Sequence, residues 1–232
     1  MKGNGLSERT MTMFKPTAPD LSASYWSTKM KPWAAFLTIA LLVGITNQTF
    51  ADANGELERA KQAYRNKDPK TFVFIIKELA HQGNAEAQYA LATVYQGMPG
   101  TDVEVDEMES AKWLTLSASQ GYPEAEYYVG FLYYRGRGLF PKDKQETLKW
   151  YKKSAEHGFI NAQHSLGMFY YLGDGIPQDY IKAYKWLHLA SKKGYRMATK
   201  TEKELEEIMS PEEISKAKTL AQKWENDFQQ VN

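Results

Sequence analysis

The chain contains no cysteine among its 232 residues. Disulfides, thiolate zinc sites, cysteine-ligated iron–sulfur clusters and a cysteine nucleophile are thereby excluded. Charge of one sign is also lacking: 29 Lys and Arg against 28 Asp and Glu leave a formal charge of +1. That balance speaks against a nucleic-acid protein held by a basic surface, and against an acidic tail. No apolar run is long enough to span a bilayer: the strongest, Trp33–Ile45, has 13 residues where a spanning helix needs about 20. Histidine is scarce. His81, His157, His164 and His188 make no ligand pair on one helix, so neither a metal site nor a cofactor is expected.

The apolar run has a different meaning. Lys29 and Lys31 precede it, and small residues follow, ending in Thr49-Phe50-Ala51. A basic n-region, a short h-region and small residues at −3 and −1 describe a secretory signal peptide cut at Ala51|Asp52. Signal peptides start close to their basic region, so Met30 reads as the true start. Residues 1–29 are then a non-native or disordered extension, 30–51 the signal, and 52–232 the folded part. The protein is expected to be exported in a bacterium, periplasmic or secreted, with no stable membrane insertion after cleavage. The competing reading is an uncleaved anchor that holds it at the inner membrane. Residues 52–232 alone carry 24 basic and 26 acidic residues, so +1 becomes −2. Removal of the signal moves the chain further from nucleic acid.

The remainder repeats itself. Gly83, Gly121, Gly158 and Gly194 are spaced by 38, 37 and 36 residues. Four residues after each stands an alanine: Ala87, Ala125, Ala162 and Ala198. Eight after the first three comes Leu91, Val129 or Leu166, nine after comes Ala92, Gly130 or Gly167, and twelve after comes Tyr95, Tyr133 or Tyr170. Asp106, Asp143 and Asp179 each precede a tryptophan (Trp113, Trp150, Trp186) by seven, and each tryptophan precedes the next glycine by eight.

Positions +4, +8 and +12 share one helix face, and the small residue at +9 lets a second helix come close. The aspartate suits an N-cap. Asp106 with Glu109, and Asp143 with Glu146, have capping-box spacing. The tryptophan then faces inward from the second turn, and the glycine ends the helix at C′. Each repeat is thus helix A, a loop, helix B and a glycine turn. Stacked pairs of this kind make an all-α fold, an α/α superhelical solenoid. A leading helix pair is expected over 56–82, with Asp68 and Pro69 as N-cap and N1. Full repeats follow over 83–120, 121–157 and 158–193. Capping helices over 196–228 close the array, the last opened by a Ser210–Glu213 capping box.

The pattern A-E-A-Q-x-x-L-x-x-x-Y, then G-x-G, then D-x(6)-W, then A-x-x-x-G resembles the Sel-one-like repeat (SLR) family, relatives of the tetratricopeptide repeats. Gly136-Arg-Gly138, Gly173-Asp-Gly175-Ile-Pro-Gln-Asp179 and Trp150-Tyr-Lys-Lys-Ser-Ala-Glu-His-Gly158 carry the likeness. Repeat one departs from it: Gly97-Met-Pro-Gly100 replaces G-x-G, and Gly97 stands nine residues before its aspartate rather than six or seven. The resemblance implies a protein-binding scaffold, and bacterial members are often exported and tied to envelope function, signalling or host contact.

The 15 tyrosines and 6 tryptophans are mostly absorbed by in-phase core positions. Binding candidates are residues that differ between repeats and project from helix A or its loop, since A helices line the concave face of such stacks. Tyr128, Tyr134, Arg135, Arg137 and Tyr171 form an aromatic and cationic set of the kind that anchors interfaces. The alternative for the tyrosines is packing between neighbouring A helices.

Catalytic motifs are lacking. Ser215-Lys-Ala-Lys218 matches S-x-x-K, but without S-D-N or K-T-G it reads as a solvated helix face. There is no G-x-S-x-G and no P-loop. The expected function is therefore a non-catalytic exported scaffold that binds a protein or peptide partner. The alternative is an envelope or cell-wall accessory, or a hydrolase-like enzyme, with an unrecognised loop-built site.

Overall fold

The structure, a computed structural model, describes residues 53–231. The expected extension and signal peptide, residues 1–51, lie outside the described residues. Ten helices and no strand occur among the described residues. Helix α1 covers 53–65. It is followed by α2 (Pro69–His81), α3 (Ala85–Tyr95), α4 (Glu107–Ser119), α5 (Pro123–Arg135), α6 (Lys144–Glu156), α7 (Ile160–Leu172), α8 (Tyr180–Lys192), α9 (Arg196–Ile208) and α10 (Pro211–Val231). Odd-numbered helices are the A helices and even-numbered ones the B helices. From α2 to α9 each helix packs against the next, and α10 lies against α8. This is the stacked-pair solenoid expected from the repeat.

The periodic residues explain the stacking. Ala87, Ala125, Ala162 and Ala198 are all 0% exposed, and Leu91, Val129 and Leu166 are buried beside them. Trp113 and Trp186 are buried as well. Trp150 is only half-buried, with the Lys153 ammonium 4.6 Å above its ring. Gly83, Gly121, Gly158 and Gly194 adopt φ of +93°, +82°, +86° and +85° after the C-caps of the B helices. That left-handed conformation is open to glycine without the Cβ penalty that other residues meet.

The aspartates do cap the B helices. Asp106 accepts from the N–H groups of Met108 and Glu109, Asp143 from Gln145 and Glu146, and Asp179 from Lys182. The reciprocal half of the expected capping boxes is absent. Glu109 binds Lys112 and Trp113 Nε1 instead, and Glu146 binds Lys149. The reason is that the aspartate N–H groups are already used. Asp106 N donates to Tyr95 O at 2.9 Å, Asp143 N to Tyr133 O at 3.1 Å and Asp179 N to Tyr170 O at 3.0 Å. These bonds tie the end of each A helix to the start of its B helix. The longer loop of repeat one closes on the same bond as the others. Only Ser210 and Glu213 form a full box, in both directions.

Candidate functional site

Two neighbouring clefts lie along the middle of the array. The first, of about 220 Å³, is bounded by Gln96 after α3, by Val105, Glu107, Ser110 and Ala111 around the start of α4, by Tyr128, Phe131 and Leu132 on α5, and by Arg137, Gly138 and Phe140 in the loop after it. The second, of about 270 Å³, lies between α5 and α7, with Tyr151 of α6 also in its wall. Its α5 wall is Tyr127, Phe131 and Tyr134, and its α7 wall includes His164, Met168, Phe169 and Leu172. Phe131 is common to both.

A run of rings joins the walls. Tyr122 meets Tyr89 at 5.4 Å between ring centroids, Tyr89 meets Tyr128 at 5.8 Å, and Tyr128 meets Tyr127 at 5.7 Å. Tyr127 stacks on Tyr151 at 5.1 Å. Tilted and edge contacts of this kind suit the aromatic quadrupole. Burial pushes the hydroxyls of Tyr89, Tyr122 and Tyr151 far above the usual phenol range, so they stay neutral. Burial raises the Tyr127 hydroxyl as well, with Ser165 beside it acting in the opposite sense. Burial also lowers His164, whose ring lies 4.8 Å from that of Tyr195. At neutral pH the second cleft therefore presents an uncharged imidazole.

Charge gathers at the loop end. Arg137 Nη2 pairs with Glu107 Oε1 at 2.7 Å, both residues belonging to the first cleft. Lys144 pairs with Asp174, which lines the second. Arg135 sits with its guanidinium carbon 6.0 Å from the Phe131 ring.

The residues singled out from sequence divide as follows. Tyr128 and Arg137 line the first cleft, Tyr134 lines the second, and Arg135 rests on the ring between them. Tyr171 lines neither: it packs on Tyr180 at 6.0 Å. Tyr128 is both 36% exposed and packed on Tyr89 of the neighbouring A helix. Phe131, which both clefts share, was not singled out. It stands at +10 after its glycine, where repeat one has Thr93 and repeat three Met168. Phe131 lies one helical turn from Tyr128 and from Arg135, so its variation between repeats was the available signal. Lys218 of the S-x-x-K match is turned to the Tyr184 ring and lies 4.0 Å from Glu206. No group of three or more metal-ligating side chains occurs among the described residues.

The Sel1 repeat family model matches residues 85–122, 123–159 and 160–195. No curated protein matches the chain. Among solved structures, a Sel1 repeat protein from Oxalobacter formigenes is 32% identical with a TM-score of 0.52, the match covering 56% of this chain and 95% of that one. A protective antigen present in uropathogenic Escherichia coli strains, displaying an SLR fold, is 24% identical with a TM-score of 0.50. That match covers 76% of this chain but 46% of the antigen, so the chain spans less than half of its length. The chain belongs to the Sel1 repeat family, whose members are in general protein-interaction scaffolds.

Proposed function

We propose that this protein is an exported, non-catalytic scaffold that holds a protein or peptide on the concave face of its A helices. The observation that carries this reading is the pair of aromatic clefts meeting at Phe131. Large apolar side chains stand exposed there: Val105 at 65%, Leu172 at 62%, Tyr134 at 39% and Tyr128 at 36%. A clustered apolar surface rimmed by charge is the mark of an interaction site, whereas scattered single residues are not. Tyr and Arg are among the residue types that anchor interfaces. Export is supported by the basic, apolar, small-residue order of 29–51. Among the described residues no helix is long and apolar enough to cross a membrane.

The test is a photo-crosslinking amino acid placed at Tyr134 and, as a control, at Phe74 on a B helix, in cells that make the protein. A crosslinked product from position 134 and none from position 74 is expected. Products from 74 alone would move the binding face elsewhere. N-terminal sequencing of the exported protein is expected to begin at Asp52, and an intact residue 1 would refute cleavage.

A further inference from the structure

We propose that the two clefts form one bipartite site for a short acidic peptide segment, its two large apolar side chains seated on either side of Phe131 and its carboxylates on Arg135 and Lys142. This rests on the scaffold reading above and adds the class of partner.

The size of the clefts points to side-chain anchors. At about 220 and 270 Å³ each is smaller than the pockets, of about 300 Å³ and upward, that enclose whole small ligands. Sharing one ring as a partition, they sit next to each other and suit two anchors of one segment. Their walls are aromatic and aliphatic, with neutral Tyr127, Tyr151 and His164 as the polar members of the second.

The charge points to an acid. The stretch Tyr134–Lys144 carries Arg135, Arg137, Lys142 and Lys144 against one acid, Asp143. Asp143 is committed to the N-cap of α6. Glu107 answers Arg137, and Asp174 answers Lys144. Arg135 and Lys142 make no ion pair among the described residues. The first lies over the shared ring, and the second lies where a Cβ on Gly136 would touch its own Cβ at 2.9 Å. Arg135 thus stands unanswered beside the ring the two clefts share, and Lys142 is an unpaired cation on the loop that follows α5. A guanidinium with no carboxylate partner keeps its N–H fork available, and that fork takes a carboxylate in two parallel bonds. A basic segment is repelled by both cations and a neutral one gains nothing from them, so the acidic one is selected.

The experiment is selection of random dodecapeptides displayed on phage against the full chain, followed by fluorescence anisotropy of the enriched peptides. Enriched sequences are expected to share two large apolar residues and a net negative charge. Phe131→Ala and Arg135→Glu should each weaken them at least tenfold, and raising salt should weaken them further. Peptides with Asp or Glu changed to Lys should regain affinity for Arg135→Glu. Arg135 is exposed, so that variant remains decisive where Phe131→Ala fails to fold by circular dichroism. Enrichment of peptides without acids, enrichment of acidic peptides that bind both variants as tightly as the parent, or no enrichment at all overturns the proposal. The scaffold reading fails separately, on the crosslinking result at position 134. A partner crosslinked there whose affinity ignores Arg135 sinks the acidic-peptide assignment and leaves the scaffold standing.

Discussion

His157 Nδ1 donates to Glu126 Oε2 at 2.7 Å, tying the end of α6 to the start of α5 within the second repeat. Glu126 is 2% exposed. It stands five residues after its glycine, and the same place holds Gln88 in repeat one and Gln163 in repeat three, both also buried. Each glutamine donates Nε2 to a carbonyl of the preceding B helix, Gln88 to Ala80 and Gln163 to Ala155. Gln88 Oε1 in turn accepts from Gln120, which directly precedes the next glycine as His157 does. In repeat three the corresponding residue is Lys193, which bonds Gly158 O instead. Gln163 Oε1 is left as the one buried polar side-chain atom without a partner among the described residues. The start of each A helix is thus tied to the end of its own B helix by a polar contact that differs each time.

Glu126→Gln should stabilise the protein at neutral pH by about 1 kcal/mol, the net worth of a typical buried hydrogen bond. An ionised carboxylate has no N–H for the carbonyl of Ala118, the position that matches Ala80 and Ala155, whereas glutamine does. Its Oε1 still accepts from His157. The pH dependence follows from the raised pKa of Glu126, where burial outweighs the hydrogen bond and charge of His157 and the charge of Lys153, with Glu156 also raising it. The unfolded chain releases this proton near pH 4.5, while the folded protein keeps it to higher pH. Stability from this group therefore falls as pH rises from about 4.5 through the folded value. Urea midpoints across that window should decline in the parent and lose this decline in the variant. A variant less stable than the parent at pH 7 would refute the account.

Glu202 should do the opposite. His188 Nδ1 donates to it at 2.6 Å. Burial raises its pKa, but the hydrogen bond and charge of His188, with Ser191 and Tyr184 nearby, bring it below 4.5. The stability it supplies is complete above about pH 4.5 and is lost as pH falls through the folded value. Charge-assisted bonds of this kind contribute about 2 kcal/mol. Glu202→Gln is expected to cost that order at pH 7 and to flatten the acid limb of the unfolding curve. An acid limb unchanged in the variant would assign acid sensitivity to other carboxylates.

The solenoid was legible because its core is written in phase. Ala87, Ala125, Ala162 and Ala198 are invariant in spacing and fully buried, so their sequence rhythm is the packing itself. The buried polar side chain at +5 of each repeat was not legible. A Gln or Glu next to the +4 alanine reads as solvated surface, and only the neighbouring B helix makes it interior. The clefts were half legible: Tyr128, Tyr134 and Arg137 line them, while Phe131 went unseen and Tyr171 faces Tyr180. Variation between repeats marks a residue as free of the shared core. It does not say which of the two neighbouring faces of an A helix opens onto a cleft.

The unequal capping boxes give a direct comparison. Asp143→Ala removes the acceptor for Gln145 N and Glu146 N and should cost about 1 kcal/mol, as loss of an N-cap does. Glu146 returns nothing to the cap and pairs at the surface with Lys149. Glu146→Ala should therefore cost less than about 0.5 kcal/mol, the range of exposed helix pairs. Chemical denaturation of the two variants separates them. Equal costs would mean that Glu146 supports the cap in solution.

Gly130 and Gly167 mark where consecutive helices come closest. A Cβ on Gly130 would stand 2.7 Å from Tyr151 Cδ1 and 3.1 Å from Trp150 Cβ, and one on Gly167 would stand 2.7 Å from Leu187 Cγ. In repeat one the same position is Ala92, fully buried, facing a repeat in which Leu114 replaces Tyr151. Helix propensity alone would make alanine better than glycine by about 1 kcal/mol. Overpacking a closed core costs about 1–3 kcal/mol, so the clash should win in both repeats. Gly130→Ala carries a further consequence, because the ring it displaces is the one stacked on Tyr127 in the wall of the second cleft. Hydrogen exchange in this variant should rise first in α6 and α7 while α3 and α4 keep their protection. A gain in stability would show that Tyr151 has room to move and that the close approach is not a constraint.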